Sequence, residues 1–162
     1  MHSVVFDSTI LIDLFGKRTA PEKRLLLDGL IKTLSKSRAR ILIPTPCLTE
    51  LMIRADKARD EINASLSSNS AFEVISFDRR AATECALSLS ANWTSKNQRA
   101  VSKTKFKFDW MIVACAASRN VETIYSDDAD IKRIATGLKI RVIQTADLTL
   151  SDTDRQIGID GI

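Results

Sequence analysis

Val4-Val5-Phe6-Asp7-Ser8-Thr9 is the stretch on which the fold turns. Three apolar residues run together without alternation, and an acid and two hydroxyl residues follow at once. A strand with no polar face is covered on both sides, which is the habit of parallel sheets. Ser8 to Phe15 then has the apolar spacing of a short helix, ended by Gly16. The same strand-then-helix unit recurs along the chain. Arg40-Ile41-Leu42-Ile43 precedes a helix opened by Thr45-Pro46, with Leu48, Leu51, Met52 and Ala55 on its core face. Phe72 to Phe77 precedes a helix capped by Asp78. Thr123-Ile124-Tyr125 precedes a helix marked by Ile131, Ile134, Ala135 and Leu138, and Ile140 to Ile143 forms the last strand. Thr19-Ala20-Pro21-Glu22 reads as a capping box ahead of Leu27, Leu30, Ile31 and Leu34. Asp109 reads as the start of an Ala-rich helix through about Ser118. The expected fold is α/β: three layers, α/β/α, around a central, mainly parallel sheet of about five strands.

The 162 residues suit one domain, here expected over 1–145 with a polar tail over 146–162. An apolar fraction of 44% and a charged fraction of 27% are those of a globular chain. No apolar run approaches the ~18–20 residues of a membrane span, and no signal peptide is visible. Cys47, Cys85 and Cys115 are odd in number and sit in apolar surroundings, so we expect reduced thiols and a cytoplasmic protein. The single histidine, His2, argues against paired-histidine catalysis and His-rich zinc sites. The five glycines build neither a dinucleotide-binding nor a P-loop motif. Carboxylate chemistry remains, against a net charge of +4.

That charge is uneven. Lys96 to Phe108 carries five cations and no acid. Basic sequence beside an acidic site suits a polyanionic substrate that needs metal ions, although one charged run by itself is usually a solvated loop. The acids themselves gather at strand ends. Asp7 follows the first strand, and Asp127 and Asp128 follow the fourth after Ser126, with Asp130 close behind. Glu50 is early in the helix after the second strand, and Asp109 is at the expected start of the Ala-rich helix. Each has an ordinary alternative use. Asp7, Asp109, Asp127 and Asp128 suit helix caps, and Glu50 with Arg54 suits a surface ion pair. Taken together they are harder to explain that way. Two unit charges at ~4 Å repel by about 4 kcal/mol at an effective dielectric of 20. Several carboxylates in one cleft need protons or cations, and oxygen-only ligands select Mg²⁺ or Mn²⁺ over zinc. Such ions act on phosphoryl groups without any histidine.

The order and context of these acids resemble the PIN-domain family of metal-dependent nucleases, in particular its VapC-like toxin ribonucleases. The stretches that carry the likeness are Val4-Val5-Phe6-Asp7-Ser8-Thr9, Thr49-Glu50-Leu51, Phe108-Asp109-Trp110-Met111-Ile112-Val113-Ala114-Cys115-Ala116, and Ile124-Tyr125-Ser126-Asp127-Asp128-Ala129-Asp130-Ile131. They span about residues 3–145. The resemblance implies a PIN-like fold and an acidic quartet of Asp7, Glu50, Asp109 and Asp128. It implies Asp7 and Asp109 as main metal ligands, with Asp128 binding directly or through water. Glu50 would hold a second ion or position the water, Asp130 would assist, and Ser8 and Ser126 would hydrogen-bond to the ligands. Asp127 and Asp128 both compete for the ligand position, and the two-residue spacing to Asp130 favours Asp128. The basic stretch before Asp109 is longer than in compact members.

The expected activity is a Mg²⁺- or Mn²⁺-dependent endoribonuclease, with Lys103, Lys105 and Lys107 contacting the RNA backbone. Thr104, Phe106 and Phe108 alternate with these lysines; a phenylalanine there suits either base stacking or the core, and the core is favoured. If the toxin resemblance holds, a cognate antitoxin protein and a homodimer are the expected partners. The alternative is a non-catalytic RNA- or protein-binding PIN-like domain whose acids are caps. A haloacid-dehalogenase-type phosphatase fits less well, since Thr9 stands where that pattern wants a second Asp.

Overall fold

The computed structural model describes residues 2–92 and 103–150. The elements run β1 (Ser3–Phe6), α1 (Ser8–Phe15), α2 (Pro21–Lys36), β2 (Arg40–Pro44), α3 (Thr45–Ala55), α4 (Arg59–Ser68), β3 (Phe72–Ile75), α5 (Arg79–Asn92), α6 (Lys103–Ala117), β4 (Thr123–Tyr125), α7 (Ala129–Gly137) and β5 (Arg141–Ile143). Short 3₁₀ turns cover Asp56–Ala58 and Thr145–Asp147. No helix among the described residues is long and apolar enough to cross a membrane.

The five strands form one sheet in the order β3-β2-β1-β4-β5, and every pairing is parallel. Neighbouring residues of a strand point to opposite faces, yet Val4, Val5 and Phe6 are all fully buried. Helices therefore cover β1 on both sides, as its unalternating sequence requires. Burial of Ile41 and Ile43 on β2 and of Ile124 on β4 extends this core through the sheet.

The chain adds β2 and β3 on one side of β1 and β4 and β5 on the other. Strand order thus reverses between β1 and β4, and connections leave their carboxyl ends in opposite directions, opening a crevice there. The register fixes what lines it. Phe6 stands opposite Tyr125, and the Asp7 amide donates to the Tyr125 carbonyl at 3.1 Å. The next residues out, Asp7 and Ser126, are set side by side at the edge of the sheet.

Several local expectations are corrected. The Ala-rich helix starts at Lys103, not at Asp109, so Asp109 sits inside α6 and caps nothing. Phe106 and Trp110, four apart, are both buried and meet edge to face with 6.2 Å between ring centroids. That apolar pair draws the basic stretch into the helix. Thr19 forms no capping box. The α2 N-cap is Ala20, with no side-chain cap bond, and Thr19 Oγ1 instead donates to the Asp13 carbonyl at 2.6 Å. The helix α4, with Ile62 and Leu66 buried, fills a stretch in which no element was expected. Residues 93–102 and 151–162, which include Lys96, Arg99 and most of the expected tail, lie outside the described residues.

Candidate active site

The crevice between β1 and β4 is a cleft of about 440 Å³ whose lining includes Asp7, Ser8, Glu50, Lys105, Phe108, Asp109 and Asp128. Four separate elements bring carboxylates to it. Asp7 comes from the end of β1, Glu50 from α3, Asp109 from α6, and Asp128 from the turn after β4. A larger depression of about 620 Å³ lies elsewhere, with Leu14, Phe15, Ile31 and Phe72 in its wall; its lining is mainly apolar and lacks this convergence of acids.

Asp7 is 1% exposed and heavily bonded. Its Oδ1 accepts from Thr9 Oγ1 at 2.6 Å and from the Ile10 amide at 3.2 Å, and its Oδ2 accepts from Ser126 Oγ. The Ile10 bond makes Asp7 the N-cap of α1, so the capping use and the cleft position coexist in one side chain. Loss of hydration pushes its pKa up to about 6, and the bonds from Ser126, Thr9 and Ile10 only partly offset this. Ser126 Oγ also accepts from the Asp128 amide at 3.0 Å, so one hydroxyl ties β1 to the start of α7.

Asp128 caps α7, accepting from the Asp130 amide at 2.8 Å, and turns its other oxygen to the cleft. One ligand oxygen from each of Asp109, Asp128 and Asp130 lies within 4.8 Å of the others. The Lys105 ammonium stands among them, 2.9 Å from Asp109 Oδ2 and 3.0 Å from both Asp128 Oδ2 and Asp130 Oδ2. Burial pushes the Asp109 carboxyl up to about 6 against the pull of Lys105, with Asp128 and Asp130 adding repulsion. Burial also raises Asp128, but Lys105 and the Asp130 amide outweigh it, so this carboxyl falls below the ordinary value. Desolvation lowers the Lys105 ammonium, and the three carboxylates more than reverse that, leaving it above the usual lysine range.

Asp127 points away from the cleft. It accepts from the Thr145 amide and hydroxyl, both at 2.7 Å, and pairs with Lys23 at 2.9 Å. Thr9 Oγ1 accepts from the Asp127 amide at 2.9 Å, so this hydroxyl serves both neighbouring acids. Of the adjacent pair, it is therefore Asp128 that shares the cleft with Asp7 and Asp109. Asp130 lies in the same group of acids as Asp109 and Asp128.

The lysines do not form one strip. On a helix, residues two apart are about 200° apart around the axis. Lys105 therefore turns into the cleft, and the exposed Lys107 lies on another face. The Lys103 side chain lies outside the described residues. Phe106 is core and Phe108 lines the cleft. Sequence reasoning missed Lys105 as partner of the acids and the double role of Thr9. The four-residue spacing of Lys105 and Asp109 carries the first signal, which a helix starting at Asp109 hides. Cys47, Cys85 and Cys115 are all buried free thiols, and burial, with Asp7 and Glu50 adding repulsion, holds the Cys47 thiol well above its ordinary value. Such thiols are inert packing groups.

The donor set fits a hard divalent cation. It is made of carboxylate oxygens alone, with Asp109, Asp128 and Asp130 brought within ligand distance of one another from two separate elements. The profile of the family described as PIN domain matches residues 4–137. Among solved structures, a chain in the crystal structure of VapBC2 from Rickettsia felis bound to a DNA fragment from their promoter superposes with a TM-score of 0.63 at 16% identity. That match covers 88% of this chain and 98% of the other. DNA-bound VapBC from Salmonella typhimurium gives 0.56 at 21% identity, covering 90% of this chain and 99% of that one. A toxin–antitoxin complex from Klebsiella pneumoniae gives 0.57 at 19%, covering 88% and 97%. At these identities the likeness speaks for the fold. No curated protein sequence matches the chain.

Proposed function

This chain belongs to the PIN-domain family, and on that premise we propose that it is a Mg²⁺- or Mn²⁺-dependent endoribonuclease, the toxin of a toxin–antitoxin pair. The observation that carries the reading is the meeting of Asp7, Glu50, Asp109 and Asp128 in one cleft where strand order reverses, with Asp130 alongside. That structures of the same fold come from VapBC and other toxin–antitoxin complexes supports the toxin assignment and an antitoxin partner.

In this reading Asp7, Asp109 and Asp128 would hold a divalent ion, Asp130 lies close enough to Asp109 and Asp128 to join them, and Glu50 lines the same cleft. When bound, the ion supplies a Lewis acid that lowers the pKa of a water and neutralises charge on a phosphoryl oxygen. The protein's part is preorganisation. Ser126 and Thr9 fix both oxygens of Asp7, and the Ser126 link to the Asp128 amide sets the spacing between the strand ends. Glu50 orients the attacking water. Protons on Asp7 and Asp109 compete with the ion, so at sub-saturating metal the site loads better as pH rises through about 6. Exposed Lys107, with Lys103 one turn away on the same helix, meets the RNA backbone. The protein works as a homodimer in the cytoplasm, and Asp128 rather than Asp127 is the ligand.

The test is cleavage of single-stranded and structured RNA with Mg²⁺, with Mn²⁺ and with EDTA. Metal-dependent cleavage that disappears in a folded Asp109→Asn variant is expected. RNA binding indifferent to EDTA and to Asp7→Asn, with no cleavage at any metal concentration, would establish a non-catalytic binding domain instead. A small antitoxin-like reading frame beside this gene is the corresponding expectation for the partner.

A further inference from the structure

Lys105 is the one cation among the described residues that reaches three cleft carboxylates at once. Its Nζ lies 2.9–3.0 Å from one oxygen each of Asp109, Asp128 and Asp130, the same three residues whose oxygens gather within 4.8 Å. An ammonium there does by charge what a divalent ion would do by coordination. It compensates carboxylates that burial and mutual repulsion leave strained. Both cations want the same lone pairs, and no carboxylate oxygen can serve an ammonium at hydrogen-bond distance and a small dication at ~2.1 Å along the same direction.

We propose that Lys105 is a built-in counter-ion that competes with the divalent metal for Asp109, Asp128 and Asp130. The lysine holds the metal-free cleft assembled and sets the metal concentration at which the site loads. The inference rests on the reading of this cleft as a metal site and adds a control of its occupancy. The geometry supports release as well as capture. The Lys105 side chain is 43% exposed and that of Asp109 8%, so the lysine has the shorter path to bulk water. Lys105 also approaches from within α6, one turn before Asp109. The metal therefore needs only a rotamer change of a four-carbon side chain, with no movement of the helix. Once displaced, the ammonium stays at the mouth of the cleft, where a phosphate would meet it. The arrangement keeps crowded acids from repelling one another at low metal and weakens metal binding in return. A purely structural salt bridge predicts the first effect without the second.

The experiment is titration of the full-length protein with Mn²⁺, followed by loss of the free-ion electron paramagnetic resonance signal and by calorimetry. It compares the native protein with Lys105→Gln, Lys105→Arg and Asp128→Asn. Lys105→Gln should bind Mn²⁺ about tenfold more tightly, the equivalent of 1.4 kcal/mol. Its metal-free form should melt at a lower temperature than the native protein, and Mn²⁺ should raise that temperature by more than it does for the native protein. Lys105→Arg keeps the charge and should bind Mn²⁺ like the native protein. Equal or weaker Mn²⁺ binding by Lys105→Gln, in a protein whose binding is abolished by Asp128→Asn, overturns the competition while leaving the metal site standing. No Mn²⁺ binding by the native protein or by Lys105→Gln overturns both.

Discussion

Two acidic clusters diverge from the same turn after β4, and they obey opposite rules. Asp127 enters a clamp in which every charge is met. Thr145 donates to it twice, Lys23 pairs with it, and Lys23 also pairs with Asp13 on α1. Burial raises the Asp127 carboxyl, but these partners outweigh burial and hold it below its ordinary value. Asp128, the next residue, enters the cleft, where four segments contribute acids and where burial drives Asp7 and Asp109 up to about 6. Adjacent residues of one type thus have different work. The clamp ties α2 and the Thr145 turn to the sheet. The cleft keeps charge concentrated at a cost in stability, as functional sites commonly do.

The sharpest way to break this contrast is to neutralise one acid from each side. Asp109→Asn should lower RNA cleavage by on the order of 10²–10³-fold while the melting temperature of the metal-free protein at neutral pH stays at or above that of the native protein. Asp127→Asn should leave the cleavage rate of the folded protein within a few-fold of native. Gel-based cleavage and thermal melting on both variants check this, and equal loss of cleavage would erase the distinction.

The pH dependence of stability should also split. Asp7 and Asp109 have folded pKa values raised above their unfolded ones. Stability of the metal-free protein should therefore be full below about pH 4 on their account and fall as pH rises to about 6, by on the order of 3 kcal/mol for the fully buried Asp7. Asp127 has a lowered value, so its contribution is present above the ordinary carboxylate range and is lost as pH falls below it. Urea melts across pH 3–8 read both slopes. Asp7→Asn should flatten the first, making the metal-free variant more stable than native at pH 7.5 while abolishing cleavage. A native protein whose stability only rises from pH 4 to 6 would contradict the account of the cleft.

A smaller effect belongs to the clamp. Asp127→Ala should cost about 2 kcal/mol, because the buried Thr145 loses the acceptor for its amide and hydroxyl. Smaller still, Ser126→Ala removes one bond that lowers the Asp7 pKa, so the pH above which Mn²⁺ at fixed sub-saturating concentration loads the site should move upward by about a few tenths to one unit, read by titration.

What the sequence made legible follows the same division. The strands β1, β2 and β4 read almost to the residue, because their apolar runs are unbroken and an acid or a helix opener ends each one. The acids at their carboxyl ends were legible because chain order alone puts them at one edge of a parallel sheet. Other features needed three dimensions. In α6, Lys and Phe alternate with a period of two, which masks the helical pair Phe106 and Trp110 and conceals that Lys105 faces Asp109. The helix α4 buries only Ile62 and Leu66, too little apolar signal to stand out in a polar stretch. The clamp joins Lys23, Asp127 and Thr145, far apart in the chain, and nothing local to any of them announces the other two.

Anomalous diffraction from a crystal grown at neutral pH and soaked in Mn²⁺ tests the central claim most directly. The account predicts a peak bounded by oxygens of Asp109, Asp128 and Asp130, with Asp7 facing it and the Lys105 ammonium moved out toward solvent. A fully soaked crystal with no peak in the cleft, and Lys105 still bonded to all three acids, would contradict it.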